Sequence, residues 1–311
     1  MVGKLMAAGG ERQDMFQLGA FTDEISQDLA HACDVCRDYG VTGAEIRGVW
    51  DTPVQGLTQR QVREIKRIVA DHGMRVCSVA SPFGKCELTE PAEIAKHMDI
   101  LRRCADIARE LDCRVVRGFV FWRRGPETPW DAMLDAYKPV PDILEEKDVI
   151  LGIENEHACY VGTAGHARLF LNRLRCARVQ VVWDPANHVH DPEAVHTPPF
   201  PEGYALIADD IVHVHVKDAA PGPDGAVRCV FLGAGSVDWV GQFHALQGQG
   251  YGGYVSLETH VNRRGLSKKI VSKYKRHLKG EGREAPSRAS LAWLRETLDP
   301  LAQGRADGRT K

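Results

Sequence analysis

Val149-Ile-Leu-Gly-Ile-Glu154, Val179-Gln-Val-Val-Trp-Asp184, Ile211-Val-His-Val-His215 and Gly253-Tyr-Val-Ser-Leu-Glu258 are short apolar runs, each ending on a side chain able to bind a metal. Their β-branched content suits strands buried on both faces. Phe16–Phe21, Gly43–Val49, Met74–Ala80 and Arg114–Val120 have the same character upstream, which makes eight candidate strands. Between them lie the amphipathic stretches Asp28–Tyr39, Thr58–His72, Pro91–Leu111 and Gly165–Arg175, with apolar residues at helical spacing and Gly or Asp near the ends. Strict strand–helix alternation implies parallel strands with crossover helices, and eight such units close an α/β (β/α)8 TIM barrel. A doubly wound sheet is the competing arrangement. No Gly-x-Gly-x-x-Gly follows the first strand, however, and polar residues gather where strands end.

The chain has 311 residues, and a barrel needs about 250. The surplus falls in a Gly-rich N-terminal stretch, in loops after the sixth and seventh strands, and in a Lys/Arg-rich stretch after the eighth. The expected division is a flexible tail over 1–15, one barrel domain over 16–300 and a flexible tail over 301–311. With 43% hydrophobic and 26% charged residues the chain can bury a sizeable core, which excludes global disorder. Its 40 basic and 42 acidic residues nearly cancel, leaving no whole-molecule field to attract nucleic acid or membrane. No run approaches 18 uncharged apolar residues and the first 14 lack a secretory core, so a cytoplasmic protein is expected. Nine scattered cysteines fit reduced thiols. Cys33 and Cys36 lack a second pair at zinc-site spacing and read as helix-packing residues.

A charged side chain at the end of an apolar strand is costly to bury unless paired or bound to a cation. In a closed barrel the ends of four consecutive strands converge, so Glu154, Asp184, His215 and Glu258 would face one another. Like charges would repel there, and a divalent metal resolves the conflict. Three carboxylates and one histidine form a hard ligand set that suits Mn²⁺ first, with Mg²⁺, Co²⁺ and Zn²⁺ open.

Gly152-Ile-Glu-Asn-Glu-His157, Trp183-Asp-Pro-Ala-Asn-His188, His213-Val-His-Val-Lys-Asp218, Leu232-Gly-Ala-Gly-Ser-Val-Asp-Trp239 and Val255-Ser-Leu-Glu258 resemble the sugar phosphate isomerase/epimerase superfamily with its xylose-isomerase-like barrel. Ketose 3-epimerases, hydroxypyruvate isomerase, inosose dehydratase and endonuclease IV belong to it. The resemblance spans roughly Phe16 to Leu298. It implies that Glu154, Asp184, His215 and Glu258 hold the metal, and that Glu154 and Glu258 are the catalytic pair that moves a substrate proton. The expected reaction is isomerisation or epimerisation of a small sugar or keto-polyol through an enediolate. A dehydratase or other lyase would use the same site, and a non-catalytic binding barrel is a further alternative.

Substrate-binding candidates are His157, Asn187, Lys217 and Arg47. Lys217 follows His215 by two residues and shares its strand face, so it reaches a substrate oxygen or is a solvated loop lysine. Asn187 stands where relatives often carry histidine. His157 binds substrate or caps a loop, and Arg47 binds substrate or pairs with Glu45 or Asp51. His188, His190 and His196 read as solvated loop histidines. Pro223-Asp224-Gly225 predicts a hairpin turn, and Gly233-Ala234-Gly235 reads as a tight turn, with a phosphate cradle as the alternative. Arg263–Arg288 carries ten Lys or Arg against two Glu. It could bind a substrate phosphate or nucleic acid, its near end could form a lid over a small substrate, or it could be a solvated helix or loop. Nucleic acid is what endonuclease IV binds, but that enzyme type assembles three zinc ions with histidines from earlier strands. Here the second, third and fourth strand ends offer Arg47, Ser81 and Arg117. The expectation is therefore a small-molecule site with no nucleic-acid or membrane partner, and self-association stays open.

Overall fold

The computed structural model describes residues 16–303. Eight parallel strands close a barrel: β1 Gln17–Phe21, β2 Gly43–Ile46, β3 Arg75–Ala80, β4 Val115–Gly118, β5 Ile150–Glu154, β6 Val179–Trp183, β7 Ile211–Val216 and β8 Tyr254–Leu257. Neighbours pair in sequence order, and closure comes from β1 against β8, with Leu18 opposite Val255 and Ala20 opposite Leu257. All eight strands foreseen in the sequence are present. The expected tail 1–15 lies outside the described residues, as does 304–311, whereas 301–303 continue the last helix, Glu284–Gln303.

The helices start where local chemistry satisfies their first amides. Asp28 accepts from the Ala30 and His31 N–H groups at 3.0 and 3.3 Å to open Leu29–Asp38. Thr58 and Gln61 form a reciprocal capping box ahead of Gln59–Asp71. Pro91 occupies the first turn of Pro91–Glu110. Cys33 and Cys36 are fully buried free thiols on the first of these helices, as packing residues should be. Burial pushes the Cys33 thiol up to about 12, which removes its thiolate reactivity.

β2 stops three residues earlier than the sequence suggested. Gly48–Val49 instead pairs antiparallel with Thr52–Pro53, turning through Trp50 and Asp51 at φ 53° and 56°. The Gln27 carbonyl and side chain accept from the Trp50 and Asp51 amides at 3.1 and 2.9 Å and support this left-handed turn.

After β7 the hairpin appears as foreseen: Asp218–Pro221 pairs antiparallel with Val227–Val230 around Pro223-Asp224-Gly225. Asp218 accepts from the Gly233, Gly235 and Val237 amides at 3.0, 3.0 and 3.2 Å. The Gly-Ala-Gly turn is thus closed on the protein's own carboxylate, and the phosphate-cradle reading falls because its amides are spent.

The basic stretch after β8 is folded. Tyr274 and Leu278 pack with Phe231, Leu266, Ala285, Ala289 and Ala292 in a small second core against the last helix. Lys273 and the Tyr274 hydroxyl both meet Glu296, at 2.9 and 3.0 Å. A cavity of about 1130 Å³ opens at the strand starts, lined by Gln17, Arg75, Arg114 and Gly253. Barrel chemistry belongs to the opposite rim, where the strands end. Among the described residues no helix is long and apolar enough to cross a membrane.

Candidate metal centre

Strand register brings the four strand-end residues together. Glu154 closes β5, Asp184 directly follows β6, His215 is next to last in β7, and Glu258 directly follows β8. Each offers a ligand atom within 4.8 Å of the others, and all four are buried. Asn155 locks two of the strand ends: its amide donates to the Asp184 carbonyl at 2.7 Å and its side-chain oxygen accepts the Asp184 N–H at 2.8 Å.

Fixed partners hold each carboxylate. Glu154 takes Arg117 Nη1 at 3.0 Å on Oε2 and Asn187 Nδ2 at 2.9 Å on Oε1. Asp184 Oδ1 accepts the Asn187 amide at 2.9 Å, capping the short helix Pro185–His190. Its other oxygen meets the Lys217 ammonium at 2.8 Å. Glu258 takes Lys217 at 2.8 Å on Oε2, with Arg47 Nη1 and His260 Nε2 at 3.2 and 3.0 Å on Oε1.

These surroundings set the charges. Burial first, then the neighbouring Glu154 and Glu258, push Asp184 up to about 6 against the pull of Lys217. Burial alone would lower His215, but the carboxylates of Glu45 and Glu154 reverse this and raise it to about 10. Burial would raise Glu258 too, yet Lys217 and then His260 hold it well below the usual carboxylate range.

The donor set fits a hard divalent cation. Two of its atoms, Asp184 Oδ2 and His215 Nδ1, are buried without a hydrogen bond. The 2.8 Å contact of Asp184 Oδ2 with Lys217 is an ion pair that lacks hydrogen-bond alignment. The two atoms lie 4.0 Å apart at the centre of the quartet, and buried polar atoms whose hydrogen-bonding capacity is unspent are what a bound cation would use.

The structure places Asn187, Lys217 and Arg47 directly on this cluster through the contacts above. His157 stands outside it: the ring is exposed, pairs with Glu156 at 3.0 Å and stacks on His190 at 4.9 Å. Two of the three loop histidines depart from the solvated reading. His188 is buried, accepting the Ala164 amide at 3.2 Å and bonding the Thr197 carbonyl at 2.7 Å. His190 is half-buried beneath His157, and burial with the nearby His157 and Lys217 charges lowers it to about 4. His196 is exposed as expected. Sequence reasoning missed Arg117 and His260 as partners of Glu154 and Glu258, and it named Glu45 and Asp51 only as partners for Arg47, which pairs instead with Asp23, Glu24 and Glu258. The usable signal for Glu45 was a carboxylate inside the otherwise apolar strand β2, which burial does not tolerate without partners.

A protein-family model described as xylose isomerase-like TIM barrel matches residues 33–297. No curated protein matches the chain. Among solved structures it is similar to an L-ribulose 3-epimerase, with 18% identity and a TM-score of 0.69 over 96% of this chain and 99% of that one. A D-allulose 3-epimerase from Methylomonas sp. in complex with D-allulose aligns at 17% identity and TM-score 0.67, over 93% and 97%. A xylose isomerase-like TIM barrel protein from Mycobacterium smegmatis in complex with magnesium aligns at 16% and 0.62, over 86% and 87%. At such identities the likeness speaks for the fold.

Proposed function

Because the chain belongs to the xylose isomerase-like TIM barrel family, we propose that it is a divalent-metal-dependent isomerase or epimerase acting on a small sugar or keto-polyol. The observation that carries this reading is the buried quartet of Glu154, Asp184, His215 and Glu258, whose ligand atoms converge; two of them, Asp184 Oδ2 and His215 Nδ1, make no hydrogen bond. Structural neighbours that are sugar epimerases support the same reaction class. A bound divalent ion would polarise the substrate carbonyl and acidify the adjacent C–H.

The remaining work falls to this chain's own side chains. Glu154 and Glu258 come from strands three apart around the barrel, so they can address a substrate from two sides. Arg117 and Asn187 fix Glu154, while Arg47 and His260 fix Glu258, so neither carboxylate must be ordered when substrate arrives. One carboxylate takes the proton next to the carbonyl and the other returns it on the opposite side, which inverts that carbon. Lys217, 2.8 Å from both Asp184 and Glu258, is placed to donate to a substrate oxygen.

Incubation of the metal-supplied enzyme with a panel of ketoses, inososes and 3-keto sugars in deuterated water tests the reading. Deuterium at the carbon next to the carbonyl, without loss of water, is expected for at least one sugar. A dehydrated product would make the enzyme a lyase, and no incorporation from any sugar would leave a binding barrel.

The basic stretch separates small from polymeric substrates. Arg263 and Arg264 begin five residues after Glu258 and are exposed, whereas Lys273 sits on the outer core beside Glu296. Changing Lys273, Lys275 and Arg276 together to Ala should leave turnover within about twofold, since exposed pairs contribute little. Changing Arg263 and Arg264 to Ala should raise KM. Binding to duplex or abasic DNA that is steeply salt-dependent and lost in the triple variant would reverse this assignment.

A further inference from the structure

Glu45 is a completely buried carboxylate on β2, in the barrel interior. A charge there is tolerable only if its oxygens are fully used, and the two are divided between two histidines of one strand. Oε1 meets His215 Nε2 at 3.1 Å, and Oε2 meets His213 Nε2 at 2.8 Å. The Ser256 hydroxyl also meets His213 Nε2, at 2.9 Å, and touches Cys77 Sγ at 3.7 Å. His213 and His215 are two residues apart on β7, so both project into the interior, and their rings lie edge to face at 5.5 Å.

The two nitrogens of His215 have unlike surroundings. Nε2 faces Glu45, whereas Nδ1 faces Glu154 Oε1 at 3.4 Å and Asp184 Oδ2 at 4.0 Å and makes no hydrogen bond. A bound cation would replace the proton on Nδ1, leaving a neutral imidazole that donates its Nε2–H to the carboxylate and turns the Nδ1 lone pair to the cation. Phe21 packs edge-on against the same ring, 5.0 Å between centroids, and limits its rotation. Carboxylates placed behind metal-binding histidines fix tautomer and ring orientation and raise the ligand's basicity.

We infer that Glu45 is a positioning residue for the proposed metal centre: it anchors His215 through Nε2 so that Nδ1 is the ligand atom. This rests on the metal reading given above. His213 is the counterweight, occupying the second oxygen so that the carboxylate cannot swing away from His215. Glu45, Cys77 and His213 are also close enough to form a ligand set of their own. Both Glu45 oxygens and His213 Nε2 are already hydrogen-bonded, however, so that trio is closed without an ion.

The test uses cobalt(II) as the probe, titrated into metal-free wild type, Glu45→Gln and Ser256→Ala while the visible d–d absorption is followed. Gln keeps the size of Glu45 and removes its charge. Ser256→Ala removes a contact to His213 and leaves the Glu45–His215 contact intact. Glu45→Gln should weaken cobalt binding by roughly 10- to 100-fold and shift the band, while Ser256→Ala stays within about threefold. Equal affinity and band in wild type and Glu45→Gln overturns this inference alone. An equal loss in Ser256→Ala overturns it as well, because general loosening would then be the cause. Two equivalents of cobalt with an intense near-ultraviolet thiolate band would make Glu45 a ligand and overturn it. No uptake by the wild type strikes down the metal reading and this one with it. Should Glu45→Gln fail to fold, ¹⁵N-histidine spectra of zinc-loaded wild type decide: zinc on Nδ1 with a retained Nε2 proton supports the anchor, and zinc on Nε2 removes it.

Discussion

Changing Asp184 to Ala is expected to strip the protein of its divalent ion, taking elemental analysis of chelator-free preparations from about one equivalent per chain to none detectable. Loss of a residue behind a ligand costs about 10- to 100-fold in metal affinity, so removing a ligand should exceed roughly 100-fold. Asp184 is fully buried, and its Oδ2, which makes no hydrogen bond, faces His215 Nδ1. Its second role, capping Pro185–His190 through the Asn187 amide, is worth about 0.5–2 kcal/mol and predicts a modest loss of stability alongside. Asp184→Asn separates the two effects, because Asn keeps the cap and discards the charge. Full metal content in Asp184→Ala would move the site away from the strand-end quartet.

Substitution of Glu154 and Glu258 by Gln should divide the reaction in two. Gln preserves the volume of each side chain and an acceptor for Arg117 or Arg47. It cannot take a proton, and positioned acid–base groups contribute about 10²- to 10⁴-fold each. Each single variant should lose epimerisation by that factor while still exchanging the substrate proton of one epimer with deuterated water, because the base on one side survives. The double variant should lose exchange from both epimers. Exchange that persists in the double variant at more than about 1% of wild type would sink the two-carboxylate mechanism.

The barrel and the convergence of its four strand-end residues were legible because such endings break local rules in local view. An apolar run buried on both faces has no reason to end on Glu, Asp or His, and four such endings in register point to one place. Glu45 breaks the same rule, but its explanation lies 168 and 170 residues away at His213 and His215, and pairing over such distances leaves no mark on the adjoining sequence. The early end of β2 was hidden for another reason. Trp50 and Asp51 adopt positive φ, a conformation ordinarily assigned to Gly or Asn, and Gln27 across the turn supports it. His188 looked like a surface residue because a histidine-rich loop is usually wet. Its two ring nitrogens are instead consumed by the Ala164 amide and the Thr197 carbonyl. The basic stretch concealed Tyr274 and Leu278 among lysines, so its charge was visible and its anchoring was not.

The turn closed by Asp218 also bears on how the barrel can be re-engineered. Three amides of the returning chain end on one carboxylate at the hairpin's root, while the tip at Pro223-Asp224-Gly225 is exposed and held by its own Gly222–Ala226 contact. Lengthening that tip adds chain beyond the rivet, where extra residues cost little loop-closure entropy and exposed turns accept new sequence. Root and tip are therefore separable parts. A peptide tag, a fluorophore or a substrate-contacting extension grafted between Gly222 and Ala226 would ride above the mouth of the barrel without disturbing the registration of β7, and so without moving His215.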